Sequence, residues 1–156
     1  MGFKNIVLTT DFSENANAAT PYAIELARKF DGSITLLSVF EDPSVVTGLS
    51  DGLIIGASEW VREAHNLHTK QLNELAESLS ASEKIKVVAT ILRGNPVAKI
   101  IEFAEKHGTD CIVIATHGRT GLSHAVHGSV SERVVRMSPC PVLSVRPAII
   151  VSGFKN

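Results

Sequence analysis

Short apolar runs alternate along the chain with longer stretches that have helical spacing, and this alternation limits the folds it can adopt. Runs of roughly four to eight residues rich in Val, Ile and Leu are typical of buried strands. The sequence predicts such strands at residues 6–9, 33–40, 86–92, 111–115 and 141–145. Helical spacing predicts helices at 16–30, 58–79, 96–106 and 128–137, the last with Val130, Val134 and Val135 facing inward. This alternation indicates an α/β fold with a parallel sheet covered on both faces.

The predicted sheet is doubly wound. Because crossovers between parallel strands are right-handed, two orders are common for five strands, 3-2-1-4-5 and 2-1-3-4-5. In the order 3-2-1-4-5 the direction of winding reverses between strands one and four. Ligands of such sheets bind beyond the carboxyl ends of the strands at this reversal. A binding site is therefore expected where the strands at 6–9 and 111–115 end.

Composition excludes several classes of protein. The 156 residues are 44% apolar and 20% charged, which is typical of a globular chain, and we expect one domain over 1–156. Lys plus Arg (15) nearly balances Asp plus Glu (16), so neither a nucleic-acid binder nor a membrane anchor is predicted. The two cysteines form no CxxC pair and fit a cytoplasmic location. Glycines and Pro43 predict a mobile loop over about 41–57, and the tail at 147–156 has no clear period.

The segment after the fourth predicted strand has the chemistry of an anion site. Gly118 follows that strand, and Gly128 and Ser129 stand at a predicted helix start. Glycines let backbone amides approach an anion, and a helix N-terminus adds amides and a partial positive charge. His117 and Arg119 add further groups that can donate to a phosphate. The pattern is neither a Walker A motif nor a GxGxxG fingerprint, so the glycine spacing alone also fits a plain loop.

Asp11 follows the first predicted strand and allows two interpretations. It is either the N-cap of the next helix or a ligand contact at the switch point. Ser13 can supply the cap, so we favour the ligand contact. The histidines form no pattern that fixes a metal site, and none is predicted.

Three segments resemble the universal stress protein family, and the resemblance extends from Phe3 to about Arg146. They are NIVLTTDFS at 5–13, ATHGRTGL at 115–122, and GSVSERVV at 128–135 followed by SPCPVL at 138–143. The nucleotide-binding branch carries G-x2-G-x9-G followed by Ser or Thr. Gly118 and Gly128-Ser129 match its second half, but Ala115 replaces its first glycine.

The resemblance implies a Rossmann-like, adenine nucleotide alpha hydrolase-like sheet in the order 3-2-1-4-5. It implies that backbone groups near Val39 read adenine, that Asp11 accepts bonds from ribose or the adenine amine, and that Gly118, Gly128 and neighbours hold phosphates. A Mg²⁺ ion carried by the phosphates would need few protein ligands. The candidate nucleotide-binding residues are Thr10, Asp11, Val39, Ala115, His117, Gly118, Arg119, Gly128, Ser129 and Val130.

These features favour a binding module for ATP, ADP or AMP that acts as a stress-response or regulatory switch. An unknown protein partner would recognise the state of the switch. Two alternatives remain open, a slow Mg-dependent ATPase or phosphotransferase and a nucleotide-free dimeric interaction protein, which Ala115 favours. The strand at 141–146 would lie at a sheet edge, where unpaired apolar strands invite pairing. A homodimer through this edge is expected, the alternative being that the tail covers it.

Overall fold

A five-stranded parallel sheet forms the centre of the fold. The computed structural model describes residues 2–41, 54–116 and 130–147, without the side chains of 54–58. The strands within these ranges are β1 (Asn5–Thr9), β2 (Ser33–Phe40), β3 (Val87–Arg93), β4 (Cys111–Ala115) and β5 (Val142–Val145). Their order is β3-β2-β1-β4-β5. The predicted doubly wound order 3-2-1-4-5 is confirmed.

Helices connect the strands, with two differences from the predicted bounds. The described helices are α1 (Glu14–Asn17), α2 (Thr20–Phe30), α3 (Ile54–Glu83), α4 (Pro96–Lys106) and α5 (Val130–Met137). The single helix predicted at 16–30 is wrong, because α1 ends before Ala18 and α2 begins with Pro21 in its first turn. Proline lacks the amide that would continue the earlier helix.

The long helix α3 begins earlier and ends later than expected. Residues 54–57 were predicted as part of a loop, but they are helical. Gly56 lowers helix propensity by only about 1 kcal/mol, which the rest of so long a helix outweighs. Residues 42–53 of the predicted loop and 148–156 of the predicted tail lie outside the described residues. Within the described part of the chain, no helix combines the length and the apolar character needed to cross a membrane.

Apolar side chains cover both faces of the sheet. One face packs against α2 and α3 through a core that includes Leu8, Leu36 and Leu72. The other face packs against α4 and α5 and includes Leu37 and Val134. Adjacent residues of β2 thus point to opposite faces, as in any strand. Burial on both faces explains why these strands appear in the sequence as nearly unbroken apolar runs.

The buried side of α5 differs from the predicted one. Val134 is fully buried and Ser131 nearly so, whereas Val130 and Val135 are 40% and 50% exposed. Residues three apart share a helix face, so Ser131 and Val134 define the contact. Val135 lies about 100° further around the helix. The expectation that Val130 and Val135 face inward is therefore wrong.

Candidate functional site

The carboxyl ends of β1 and β4 form the candidate site, because the strand order reverses between them. β1 pairs with β2 on one side and with β4 on the other, where Leu8 lies opposite Val113. Beyond this pair, Thr10 and Asp11 continue from β1, and Ala115 ends β4. Three of the residues predicted from the sequence thus lie together at the carboxyl ends of the strands, where doubly wound proteins bind ligands.

β1 ends in a turn that takes the chain away from the sheet. The Thr10 amide donates to the Leu37 carbonyl at 3.0 Å, and the Thr10 hydroxyl oxygen then accepts the Phe12 amide at 3.0 Å. Phe12 has a φ of 62°, in the left-handed region that residues with a side chain rarely adopt. Since β1 pairs with β2 only to Thr9 while β2 continues to Phe40, the turn opens space beside the last residues of β2.

Asp11 is held by the serine two residues later. Its Oδ1 accepts the Ser13 amide at 3.0 Å and the Ser13 hydroxyl at 2.6 Å. The Ser13 hydroxyl oxygen accepts the Ala16 amide at 3.1 Å, which makes Ser13 the N-cap of α1. A carboxylate has about four acceptor positions, so these bonds are compatible with further bonds to a ligand.

Val39 lies in the part of β2 that extends past the end of β1. Backbone groups of successive strand residues point alternately to the two neighbouring strands. The Leu37 carbonyl accepts the Thr10 amide and therefore faces β1, whereas the Phe40 carbonyl accepts the Gly94 amide at 3.1 Å and faces the β3 side. The amide and carbonyl of Val39 consequently point to the β1 side, where β1 has already turned away.

The end of β4 is tied to the start of α5. The Thr116 amide donates to the Val145 carbonyl at 2.8 Å, and the Ser131 hydroxyl donates to the Thr116 carbonyl at 3.1 Å. The first turn of α5, including Val130, is thereby held near the carboxyl edge. Ala115 keeps strand geometry opposite Val145, so its methyl group requires no left-handed backbone.

Ser38 and His68 lie next to this site and were missed by the sequence analysis. The Ser38 hydroxyl donates to the Thr10 carbonyl at 2.7 Å and lies 2.8 Å from Nε2 of His68 on α3. The His68 ring packs edge-on against Phe12, with ring centroids 4.7 Å apart. Two signals were present: a lone serine near the end of an apolar strand, and a histidine on the helix face that carries the apolar stripe.

Five of the predicted site residues belong to the segment between β4 and α5. His117, Gly118, Arg119, Gly128 and Ser129 lie outside the described residues. In the ranges that are described, no group of three or more His, Cys, Asp and Glu side chains is placed to hold a metal ion.

A groove of about 650 Å³ lies at the amino ends of the strands, opposite the carboxyl ends that form the candidate site. It runs along the amino ends of β1 and β2, between Lys4, Arg28 and Lys86. The Arg28 guanidinium pairs with the Glu83 carboxylate at its side. Ligands of doubly wound sheets bind at the carboxyl edge instead, so the groove is separate from the candidate site.

The strand order β3-β2-β1-β4-β5, with its switch point between β1 and β4, defines a Rossmann-like α/β protein. Residues 2–146 match the model of the Universal stress protein family, and the chain belongs to that family. Universal stress protein MJ0531 of Methanocaldococcus jannaschii is 37% identical over 145 residues, which are 92% of this chain and 82% of that protein. Universal stress protein UspA from Lactobacillus plantarum has a similar fold, with a TM-score of 0.79, 22% identity, and coverage of 94% of this chain and 99% of that one.

Two solved structures with a similar fold contain a nucleotide. One is a universal stress protein in complex with cAMP, with a TM-score of 0.63, 18% identity, and coverage of 95% of this chain and 100% of that one. The other is a family protein from Arabidopsis thaliana with AMP bound, with a TM-score of 0.63, 17% identity, and coverage of 94% and 93%. Both matches show the fold of this chain.

Proposed function

We propose that the chain binds an adenine nucleotide, ATP or its relatives ADP and AMP, and acts as a regulatory switch in a stress response. The observation that carries this proposal is the turn after β1, which leaves Asp11 at the carboxyl end of β1 and leaves the Val39 backbone of β2 pointing to the side from which β1 has turned away. The AMP and cAMP bound by two proteins of the same fold support it, since both contain adenine and ribose.

In this proposal, the backbone amide and carbonyl of Val39 on β2 bind the adenine base, and the residues at the end of β1 bind the sugar. A strand amide and carbonyl that point to the same side match the alternating acceptor and donor of the adenine edge. The Asp11 carboxylate accepts hydrogen bonds from the ribose hydroxyls. Placing Asp11 at the sugar also keeps its negative charge away from the phosphates, where it would be repelled.

The phosphates are assigned to the segment that starts after β4. We propose that the amides of Gly118, Gly128, Ser129 and Val130 hold them, with His117 and Arg119 donating from the sides. Support comes from the Ser131–Thr116 bond, which holds the first turn of α5 at the edge where β4 ends. A helix N-terminus favours bound anions there. A Mg²⁺ ion carried by the phosphates fits this arrangement without a dedicated set of protein ligands.

Calorimetry of ATP with Mg²⁺ against the full chain and the Gly118→Val variant tests the proposal. We expect wild type to bind with a Kd of about micromolar, and Gly118→Val to bind at least about tenfold more weakly, because a β-branched side chain blocks close backbone approach. Gly2→Val is the matched control, since a Cβ at Gly2 meets only a Phe30 ring atom at 3.7 Å.

Each result has a distinct meaning. Wild type that binds none of ATP, ADP and AMP contradicts the proposed function. Wild-type affinity in Gly118→Val contradicts only the assignment of the phosphate segment. Purified protein can be checked beforehand for carried nucleotide, which appears as extra absorbance near 260 nm after denaturation.

We also propose that two copies of the chain pair through β5. This strand stands last in the order of the described strands, and Ser144 at its centre is exposed. An exposed strand edge is a template for pairing with another strand, and a two-fold axis satisfies both copies at once. The nucleotide would then bind to a dimer, and a protein partner would recognise the surface of that dimer.

A further inference from the structure

A chain of two contacts joins the middle of α3 to the end of β1 across β2. The Ser38 hydroxyl donates to the Thr10 carbonyl at 2.7 Å and lies 2.8 Å from His68 Nε2. Ser38 is only 1% exposed, and a hydroxyl this deeply buried is tolerated where it is hydrogen-bonded. The half-buried His68 is thus linked through one atom to the turn that opens the candidate site.

The direction of both hydrogen bonds follows from the available protons. A carbonyl oxygen only accepts, so the single hydroxyl proton of Ser38 is used on Thr10. The Ser38 oxygen then acts as the acceptor toward His68, and His68 Nε2 must carry a proton.

The Thr10 carbonyl is the atom that an uninterrupted sheet would use for its next ladder bond. The Thr10 amide already donates to the Leu37 carbonyl. In a regular parallel pair, the Thr10 carbonyl would next accept the amide two residues beyond Leu37, which is that of Val39. The Ser38 hydroxyl fills one of the two acceptor positions of this carbonyl, beyond the last residue pair of β1 and β2 and next to the Val39 amide that points to the β1 side.

The imidazole also supports the strained turn after β1. The His68 ring lies edge-on to Phe12 at 4.7 Å and to Phe40 at 5.6 Å between centroids. The left-handed backbone of Phe12 is unfavourable and persists only where its surroundings hold it. Packing and hydrogen bonding from one side chain therefore act on the same turn.

We propose that Ser38 and His68 are positioning residues of the nucleotide site. They hold the end of β1 through the Thr10 carbonyl, so that Asp11 meets the ribose and the Val39 amide meets the base. This inference rests on the proposed nucleotide binding and adds to it two residues that act through β1 and not by touching the nucleotide.

Calorimetry of ATP with Mg²⁺ against four variants of the full chain tests this role. We expect Ser38→Ala and His68→Leu each to raise Kd by about fivefold to tenfold, because ATP must then order the end of β1 without the hydrogen bond that holds it in wild type. His68→Gln restores binding to within about threefold, since its amide can still donate to Ser38. The control is His65→Leu. His65 lies one turn earlier on α3 and packs edge-on against Phe40, with ring centroids 5.3 Å apart, whereas the histidine at Ser38 is His68.

Two further readouts separate positioning from general packing. The double variant Ser38→Ala with His68→Leu should raise Kd by less than the product of the two single increases, because both single variants break the same chain of contacts. In nitrogen NMR spectra, the His68 imidazole should show a proton on Nε2, and its signals should shift when ATP is added. Thermal unfolding of each variant verifies that it is folded.

The outcomes distinguish this inference from the proposed function. Wild type that binds ATP together with unchanged Kd in folded Ser38→Ala and His68→Leu overturns the inference and leaves the proposed function standing. An equal loss in His65→Leu overturns it as well, since the effect would then belong to the packing of α3. Wild type that binds no adenine nucleotide overturns both.

Discussion

At the scale of single residues, the two cysteines differ in burial: Cys111 begins β4, and Cys140 precedes β5. Cys111 is 3% exposed, and burial raises the pKa of its thiol, whereas Cys140 is half-buried. Because the thiolate is the reactive form, we expect iodoacetamide at about pH 8 to label Cys140 at least about tenfold faster than Cys111. Peptide mass spectrometry measures both rates. Similar rates in the folded protein would contradict the burial of Cys111, while urea-unfolded protein should show similar rates.

At the scale of elements, the connection from α2 to β2 depends on Gly32. A Cβ at this position would lie 2.7 Å from the Phe3 carbonyl oxygen and 2.8 Å from the Lys4 carbonyl oxygen, both backbone atoms. We expect Gly32→Ala to lower the free energy of unfolding by about 1 to 3 kcal/mol, because the backbone must shift. Urea unfolding measures this change. Gly2→Ala should stay within about 0.5 kcal/mol of wild type, and an equally small effect at Gly32 would show that the chain relaxes there at no cost.

The sequence predicts the elements of this fold better than the contacts between them. The bounds of β2, β4 and α4 agree with the prediction, because apolar runs and a proline after a turn are local signals. The switch-point rule also anticipates Asp11 at the edge of the sheet. The contact between Ser38 and His68 joins residues 30 positions apart on different elements, and hydrophobic periodicity reports only neighbours on one element. The division of the predicted helix at 16–30 depends on a single proline that interrupts an otherwise helical pattern.

At the scale of the whole molecule, the backbone of β5 shows how a second copy would be joined. The carbonyls of Pro141 and Val145 accept amides from Ile112 and Thr116, so these positions face β4. Backbone groups alternate along a strand, and those of Val142 and Ser144 therefore point away from β4. A second β5 related by a two-fold axis would pair with these outward groups in antiparallel fashion and extend the sheet from one copy into the other.

This geometry singles out Ser144→Pro as a variant that breaks the pairing without breaking the sheet. Proline removes the outward amide at Ser144 but leaves the bonds between β4 and β5 in place, and edge strands tolerate it. We expect wild type to sediment at twice the 16.7 kDa mass of one chain and Ser144→Pro at the mass of a single chain. Ser144→Ala keeps the amide and should remain a dimer, so the pair of variants separates the backbone bond from the exposed side chain. Analytical ultracentrifugation decides between the outcomes. A wild-type monomer would contradict the dimer itself, whereas a dimeric Ser144→Pro that is shown to be folded would move the interface away from β5.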